Sequence, residues 1–183
     1  NVLDNGYLKG YPRAYAIALE LISHTDGRLD ENDLIKFIRA YQSRQVLSIS
    51  EIWSLSMMVR IALIEYIKRI CEKIDEVQVQ WNKVDILPSN EDSKLLDLIK
   101  EDMIKSEELN NYFIERLLRK IRKEGIKQGE IIEYIDEKLA ESHSNREKVI
   151  DAVHREQASM KISIGNAILS LKLVATLDWN EIF

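Results

Sequence analysis

Cysteine, proline and glycine are scarce in this chain, with one, two and six copies among 183 residues. The single cysteine, Cys71, excludes an internal disulfide framework and suits a reducing compartment. Because proline and glycine interrupt regular structure, their scarcity favours helices joined by short connections over a sheet protein. Hydrophobic residues make up 45% of the sequence, which is enough for a packed core and argues against intrinsic disorder.

Residue sets that carry common chemistries are missing from the sequence. No closely spaced glycines precede a helix to cradle a phosphate, and the three histidines are scattered rather than clustered as metal ligands. No segment places a nucleophile beside a base and an orienting group. The joint at residues 24–30 (HTDGRLD) resembles half of an EF-hand calcium loop, but the two leading ligands are absent. We therefore expect no catalytic residue, cofactor or metal in this chain.

The most apolar stretch lies between Ser48 and Trp81, and its middle, residues 52–71, is apolar nearly all the way round a helix. A helix without a polar face has to be buried on several sides. The sequence therefore predicts an all-α fold, a multi-helix bundle of roughly six to eight helices wrapped around this long central hydrophobic helix. Cys71 is expected to fill the core. Charges break the run into pieces shorter than the roughly 20 apolar residues of a membrane span.

Helix start and stop signals give the expected organisation of the chain. Residues 1–10 have no periodicity and are interpreted as a lead-in, and residues 11–183 are expected to form a single helical domain excised from a longer chain. Pro12 suits the start of a first helix and Gly27 its left-handed end. Asp30 is placed to cap a second helix, so the two helices should form a hairpin.

Two serine–glutamate pairs have the spacing of capping boxes. Ser48 precedes Glu51 by three residues, and Ser144 precedes Glu147 by the same distance. In such a box the serine side chain accepts from a backbone N–H of the first turn, and the glutamate bonds back to the serine N–H. These pairs predict where two long helices begin.

A charge on an apolar seam of the central helix predicts a polar network. Arg60 belongs to the helical stripe of residues 53, 57, 60, 64, 67 and 71, and a buried charge needs a partner. The last long helix carries a stripe of small polar residues that could supply one. We expect Arg60 to bond Glu156 or Asn166, with Glu65 in a related pairing. The predicted structural polar network comprises Arg60, Glu65, Glu156, Ser163, Asn166 and Ser170.

A basic segment follows later in the chain. Its cations are Arg116, Arg119, Lys120, Arg122, Lys123 and Lys127. One interpretation is a solvated face whose cations complement a helix C-terminal dipole. The other is contact with an anionic membrane surface, which requires a membrane-tethered parent chain. The net charge of −5 argues against nucleic acid as a partner.

Three stretches have distinctive sequences: residues 11–28 (YPRAYAIALELISHTDGR), residues 50–65 (SEIW, then MVRIALIE) and residues 163–179 (SIGNAILSLK, then DW). Together they resemble the region ahead of the glycosyltransferase domain in cyclic β-1,2-glucan synthases, in which a family-84 glycosyltransferase is fused to a family-94 glycoside-phosphorylase-like region. The resemblance implies a bacterial membrane protein that transfers glucose from UDP-glucose to β-1,2-glucan. The family's catalytic motifs lie outside this segment, so no catalytic residue carries over.

The resemblance implies a role for this segment within the parent chain. We expect a non-catalytic helical structural or regulatory module on the cytoplasmic side of the inner membrane. Its expected partners are the glycosyltransferase and membrane regions of the same chain. The alternative interpretation is a partner-binding helical domain of an unrelated envelope or signalling protein, and the reading frame beyond residue 183 discriminates the two.

Overall fold

The computed structural model describes residues 1–88, 92–105, 110–124 and 129–179. Within these ranges the chain forms seven helices and no strand, which confirms the predicted all-α fold. An isolated backbone bridge joins Val2 and Pro12. The helices are α1 (Arg13–Thr25), α2 (Glu31–Gln42), α3 (Ile49–Asp85), α4 (Asp92–Lys105), α5 (Asn111–Glu124), α6 (Gly129–Glu141) and α7 (Arg146–Thr176).

The chain divides into two compact units. Unit 1 comprises Asn1–Cys71 and Ser159–Phe183, and unit 2 comprises Glu72–Ala158. The long helices α3 and α7 each contribute residues to both units. The single domain expected over residues 11–183 stays a prediction.

Unit 1 contains α1, α2, the first half of α3 and the last part of α7. Its core includes Ile22, Leu34, Ile38, Leu55 and Leu63, all almost fully buried. The lead-in folds back on itself, because its residue 3 exchanges backbone hydrogen bonds with residues 10 and 11 at 2.9 and 3.0 Å.

Only one face of α3 is buried in unit 1. Leu55, Val59, Ala62 and Leu63 are at most 1% exposed. The predicted seam on the other side is largely exposed: Trp53 at 79%, Met57 at 56%, Ile64 at 57%, and Cys71 as well. Burial of this stretch on several sides, with Cys71 in the core, is therefore wrong. A helix that is apolar all round gives no signal of which face meets the core.

The predicted capping box at the start of α3 is present. The Ser48 N–H donates to Glu51 Oε2 at 2.8 Å, and the Glu51 N–H faces Ser48 Oγ at 3.4 Å. Asp30 also caps α2 as predicted, because its Oδ1 accepts from the Asp33 N–H at 2.9 Å. Local sequence therefore determines where these two helices start.

Helix α7 begins one residue later than its sequence predicted. Asn145 Oδ1 accepts from the Lys148 N–H at 2.9 Å, so Asn145 is the capping residue in place of Ser144. Asparagine and serine cap helices about equally well, so adjacent candidates cannot be ranked by type alone.

Unit 2 is held by an aliphatic core between α4, α5, α6 and the adjoining parts of α3 and α7. Buried residues from all of these helices contact one another: Val84, Leu95, Ile99, Phe113, Ile114, Leu117, Ile121, Ile131, Ile135, Leu139 and Val149. Asn110 caps α5, with its Oδ1 accepting from the N–H groups of Tyr112 at 3.0 Å and Phe113 at 3.2 Å.

Candidate functional site

The joint between α1 and α2 in unit 1 has an unusual backbone. Two successive residues, Asp26 and Gly27, adopt left-handed conformations with φ of 50° and 72°. The Gly27 N–H donates to Ile22 O at 3.2 Å and so satisfies a carbonyl at the end of α1. The left-handed stop expected at Gly27 therefore begins one residue earlier, at Asp26.

Two serines of α7 bind this joint. Ser170 Oγ donates to Gly27 O at 2.7 Å and accepts from the Leu29 N–H at 2.8 Å. Ser163 Oγ lies 3.1 and 3.0 Å from the two carboxylate oxygens of Asp26. Both serines are buried. Ser170 satisfies backbone groups of two buried residues, whereas the Asp26 carboxylate that Ser163 bonds belongs to an exposed residue.

Tyr66 of α3 contacts the same joint. Its hydroxyl donates to Asp26 Oδ1. Burial, followed by this hydrogen bond, raises the pKa of Tyr66. A Cβ on Gly27 would lie 2.8 Å from Tyr66 Cε1 and 3.5 Å from the Ala167 Cβ. The joint therefore requires glycine twice, for its positive φ and for the close approach of the tyrosine ring.

Arg60 has a different partner from the one predicted. Its Nη2 donates to the backbone oxygen of Val174 at 3.2 Å, and its buried Nε has no hydrogen-bond partner within the described part of the chain. Trp179 Nε1 donates to the same oxygen at 3.1 Å. The expected pairing of Arg60 with Glu156 or Asn166 is therefore wrong. A backbone carbonyl at a helix end attracts a cation but leaves no trace in the side-chain pattern.

The other predicted members of the network have separate partners. Glu65 accepts from the hydroxyl of Tyr15, and burial followed by this bond raises the pKa of Tyr15 to about 12. Glu156 lies in unit 2 and pairs with Lys73, which lowers the pKa of Glu156. Asn166 is half-buried on α7. Of the six predicted residues, Ser163 and Ser170 are the two brought together at the joint.

A second tie in unit 1 joins α1 to the start of α3. Arg13 Nε and Nη2 each donate to a carboxylate oxygen of Glu51 at 2.6 Å. The two side chains are only 12% and 5% exposed. The Arg13 guanidinium holds the pKa of Glu51 at about 2. The sequence indicated the capping role of Glu51 but not this bidentate pair, whose partner lies 38 residues away.

The basic segment of unit 2 makes internal contacts. Arg116 donates to both carboxylate oxygens of Asp85 at 2.9 and 2.7 Å and lies over the Trp81 ring. Arg119 pairs with the buried Glu115.

Lys120 Nζ donates to three backbone oxygens at the end of α3, at 3.2, 3.2 and 2.7 Å. A cation of this segment thus complements a helix C-terminus, as one interpretation predicted. The helix is α3, however, and not the helix that carries the basic segment. Arg122 and Lys123 are exposed, and Lys127 lies outside the described residues. A cleft of about 340 Å³ lies beside Lys123, lined also by Asp85, Arg116, Arg119, Lys120 and Glu124.

The chemistry of the joint is that of a structural tie. Ser170 uses its donor and its acceptor on backbone groups, and the Asp26 carboxylate accepts from two hydroxyls at once. Across the described ranges, no group of three or more histidine, cysteine or acidic side chains is placed to hold a metal ion. The arrangement fixes the positions of α1, α2, α3 and α7 within unit 1.

Helix α7 has a property that the sequence analysis, which considered only the apolar stretch of α3, missed. Among the described residues it is the one helix long and apolar enough to cross a membrane, judged by length and composition. Only 22% of its apolar window is buried.

The chain is similar to the cyclic beta-(1,2)-glucan synthase NdvB of Rhizobium meliloti (strain 1021), with 26% identity over 176 residues. The similarity supports the resemblance to cyclic β-1,2-glucan synthases. The matched region covers 92% of this chain but spans only 6% of the relative's length. No family model matches the chain.

The three stretches that carry the resemblance all contribute to unit 1 and are tied to one another. Arg13 and Tyr15 of the first stretch bond Glu51 and Glu65 of the second. The joint at the end of the first stretch bonds two serines of the third. The most distinctive residues of the sequence therefore make the contacts that assemble this unit.

Proposed function

We propose that this chain is a non-catalytic helical module of a cyclic β-1,2-glucan synthase. In this proposal the parent chain transfers glucose from UDP-glucose to β-1,2-glucan, and the module holds a fixed shape against the parent's glycosyltransferase and membrane regions on the cytoplasmic side. The observation that supports the proposal is that residues of the three stretches that carry the resemblance bond one another. Arg13, Glu51, Ser163 and Ser170 all bond other parts of unit 1. Side chains that make such bonds stabilise the fold of the unit, and we infer that their role is structural and not catalytic.

Contact with an anionic membrane surface through the basic segment is a second part of this proposal. Arg116, Arg119 and Lys120 already bond protein groups. The exposed cations Arg122 and Lys123 support the proposed membrane contact. Each basic residue near an anionic membrane surface contributes about 1 kcal/mol to binding.

The first experiment tests whether the module has activity of its own. The purified 183-residue chain is incubated with UDP-glucose, and release of UDP and formation of β-1,2-glucan are measured. We expect neither product. Turnover by the purified chain, abolished by substitutions at a defined residue set, would contradict the non-catalytic assignment.

The second experiment tests whether a glucan synthase needs the module. Membranes containing the full-length parent are compared with membranes containing the Ser170→Ala and Ser159→Ala variants, with insertion checked by immunoblotting. Ser170 bonds the joint, whereas Ser159 is exposed on the same helix. We expect glucan synthesis from UDP-glucose to fall for Ser170→Ala and to persist for Ser159→Ala. A parent without any β-1,2-glucan synthesis would remove the assignment and favour a partner-binding domain.

A further inference from the structure

The exposed surface of α3 in unit 1 is apolar over more than four turns. From residue 49 to residue 64, every exposed position except Ser50 holds a large apolar side chain. These side chains recur at helical spacing: Ile49, Trp53, Met57, Ile61 and Ile64. Soluble proteins seldom expose a continuous apolar surface of this length unless another molecule covers it.

The neighbouring helix α7 adds apolar surface of the same kind. Ile162, Ile168 and Leu169 are 61%, 44% and 65% exposed, and no atom lies within 4 Å of a Cβ placed on Gly165. Lys161 and Lys172 are exposed on either side of this surface. They are eleven residues apart, which corresponds to about 16 Å along a helix.

Acidic residues are absent from the apolar segments of these two helices. Residues 52–64 of α3 contain Arg60 and no acidic residue, and residues 159–177 contain Lys161 and Lys172 and no acidic residue. The whole chain, in contrast, has a net charge of −5. Lys161 and Lys172 are therefore the charges within the exposed α7 face, and the nearest acidic residues, Glu51, Glu65 and Asp178, stand just outside the two apolar segments.

We propose that the exposed faces of α3 and α7 in unit 1 bind the surface of an anionic lipid bilayer. Apolar side chains and tryptophan enter the boundary between headgroups and acyl chains, while flanking lysines extend to the phosphates. A second copy of this chain fits less well, because packing the same faces together would bring the exposed lysines of α7 against one another. The inference uses residues of unit 1 alone and does not depend on the glucan synthase assignment.

The contacts of α7 argue that it lies on a bilayer and does not cross it. Its composition would permit a span, but Ser163 and Ser170 bond the α1–α2 joint and are 4% and 1% exposed. One side of the helix is thus committed to protein. A helix bound in this way presents only its opposite side to lipid, as interfacial helices do.

Vesicle binding by the intact 183-residue chain tests this proposal. Co-sedimentation is measured with vesicles of phosphatidylcholine and phosphatidylglycerol in equal parts and with phosphatidylcholine alone. The Trp53→Gln/Met57→Gln/Ile64→Gln variant removes the apolar face at exposed positions. The matched Val79→Gln/Ile86→Gln variant changes exposed apolar residues of unit 2.

We expect the wild type to bind the anionic vesicles and the triple variant to lose affinity roughly tenfold or more. The Val79/Ile86 variant should bind like the wild type. Lys161→Gln/Lys172→Gln should weaken binding to the anionic vesicles more than to phosphatidylcholine. In a variant whose only tryptophan is Trp53, made by Trp81→Phe and Trp179→Phe, anionic vesicles should shift the emission to shorter wavelength.

Four results would overturn the proposal. The first is that the wild type does not bind vesicles, and the second is that the triple variant and the Val79/Ile86 variant lose equal affinity. The third is that Arg122→Gln/Lys123→Gln abolishes vesicle binding while the triple variant retains it. The fourth is a wild-type dimer in size-exclusion chromatography that the triple variant converts to a monomer, since a second copy would then cover the face. Circular dichroism of each variant confirms that it is folded.

Discussion

In unit 1, the buried hydroxyl group of Ser170 on α7 bonds two backbone groups that lie 141 and 143 residues earlier in the chain. In unit 2, charged ties such as Arg116 to Asp85 and Arg146 to Asp136 join partly exposed side chains around an aliphatic core, and Glu115, the partner of Arg119, is the buried exception among the described pairs. Exposed ion pairs contribute little stability, and aliphatic cores accept substitutions that conserve volume. Unit 1 therefore depends on particular residues at particular positions, and the three stretches that carry the resemblance all contribute to it.

The largest effect that separates the two kinds of assembly is expected at Gly27. The Gly27→Ala variant should lose about 3 kcal/mol of unfolding free energy, because alanine strains a positive φ and its Cβ meets the Tyr66 ring. Gly165→Ala is the matched control: that position is open and helical, so alanine should stabilise by about 0.5 to 1 kcal/mol. Urea unfolding monitored by circular dichroism measures both. Equal effects would show that the joint tolerates a side chain.

Acid should weaken unit 1 through Glu51. Its folded-state pKa of about 2 lies below the ordinary value of 4.5, so its contribution is present above about pH 4.5 and is lost as the pH falls toward 2. The stability difference between wild type and Glu51→Gln should therefore shrink by up to about 3 kcal/mol over this window.

Asp85 in unit 2 supplies the comparison for this titration. Arg116 lowers the pKa of Asp85, but both side chains are partly exposed to solvent. The difference between wild type and Asp85→Asn should change less over the same range. Thermal melts from pH 2 to pH 6 give both differences, and a larger change for Asp85 would contradict the contrast between the units.

Removal of single arginines gives the smallest of these effects and tests an order that the structure reverses. The sequence places Arg60 on a packing seam and Arg119 in a basic segment interpreted as a solvated face, and so predicts a far larger stability loss for Arg60→Ala than for Arg119→Ala. Arg119, however, pairs with the buried Glu115, whereas Arg60 donates to a neutral carbonyl. Arg119→Ala should cost about 2 to 3 kcal/mol and Arg60→Ala about 1 to 2 kcal/mol.

Arg122→Ala is the control for both variants, because Arg122 is exposed and should change stability by less than about 0.5 kcal/mol. Chemical denaturation ranks the three variants. An Arg60 variant clearly less stable than the Arg119 variant would restore the order that the sequence suggested.

Helix class and helix starts were predictable from sequence because they depend on neighbouring residues. The caps at Asp30 and Ser48 are local hydrogen bonds between residues three apart, and the structure contains both. The prediction of Ser144 as the cap of α7 was wrong because the adjacent Asn145 is of a type that caps helices equally well.

The partners of buried polar groups were not predictable in the same way. The sequence predicts that Ser163 and Ser170 lie on a polar stripe of the last helix, but it predicts Arg60 as the partner of that stripe. Their actual targets include backbone groups of Gly27 and Leu29, which look alike at every position of a sequence. The clue that was available is the sequence of the joint itself, where a glycine follows an aspartate at the end of a helix.

The amide proton of Leu29 gives the most direct test of the account that α7 ties the α1–α2 joint in place. This N–H donates to Ser170 Oγ at 2.8 Å in a buried position. Hydrogen exchange resolved by residue should show Leu29 protected in the wild type and in Ser159→Ala, and unprotected in Ser170→Ala, while the amides of α6 in unit 2 keep their protection. Exchange of Leu29 at the rate of an exposed loop in the wild type, or equal loss of protection in α6 and at Leu29 in Ser170→Ala, would contradict the account.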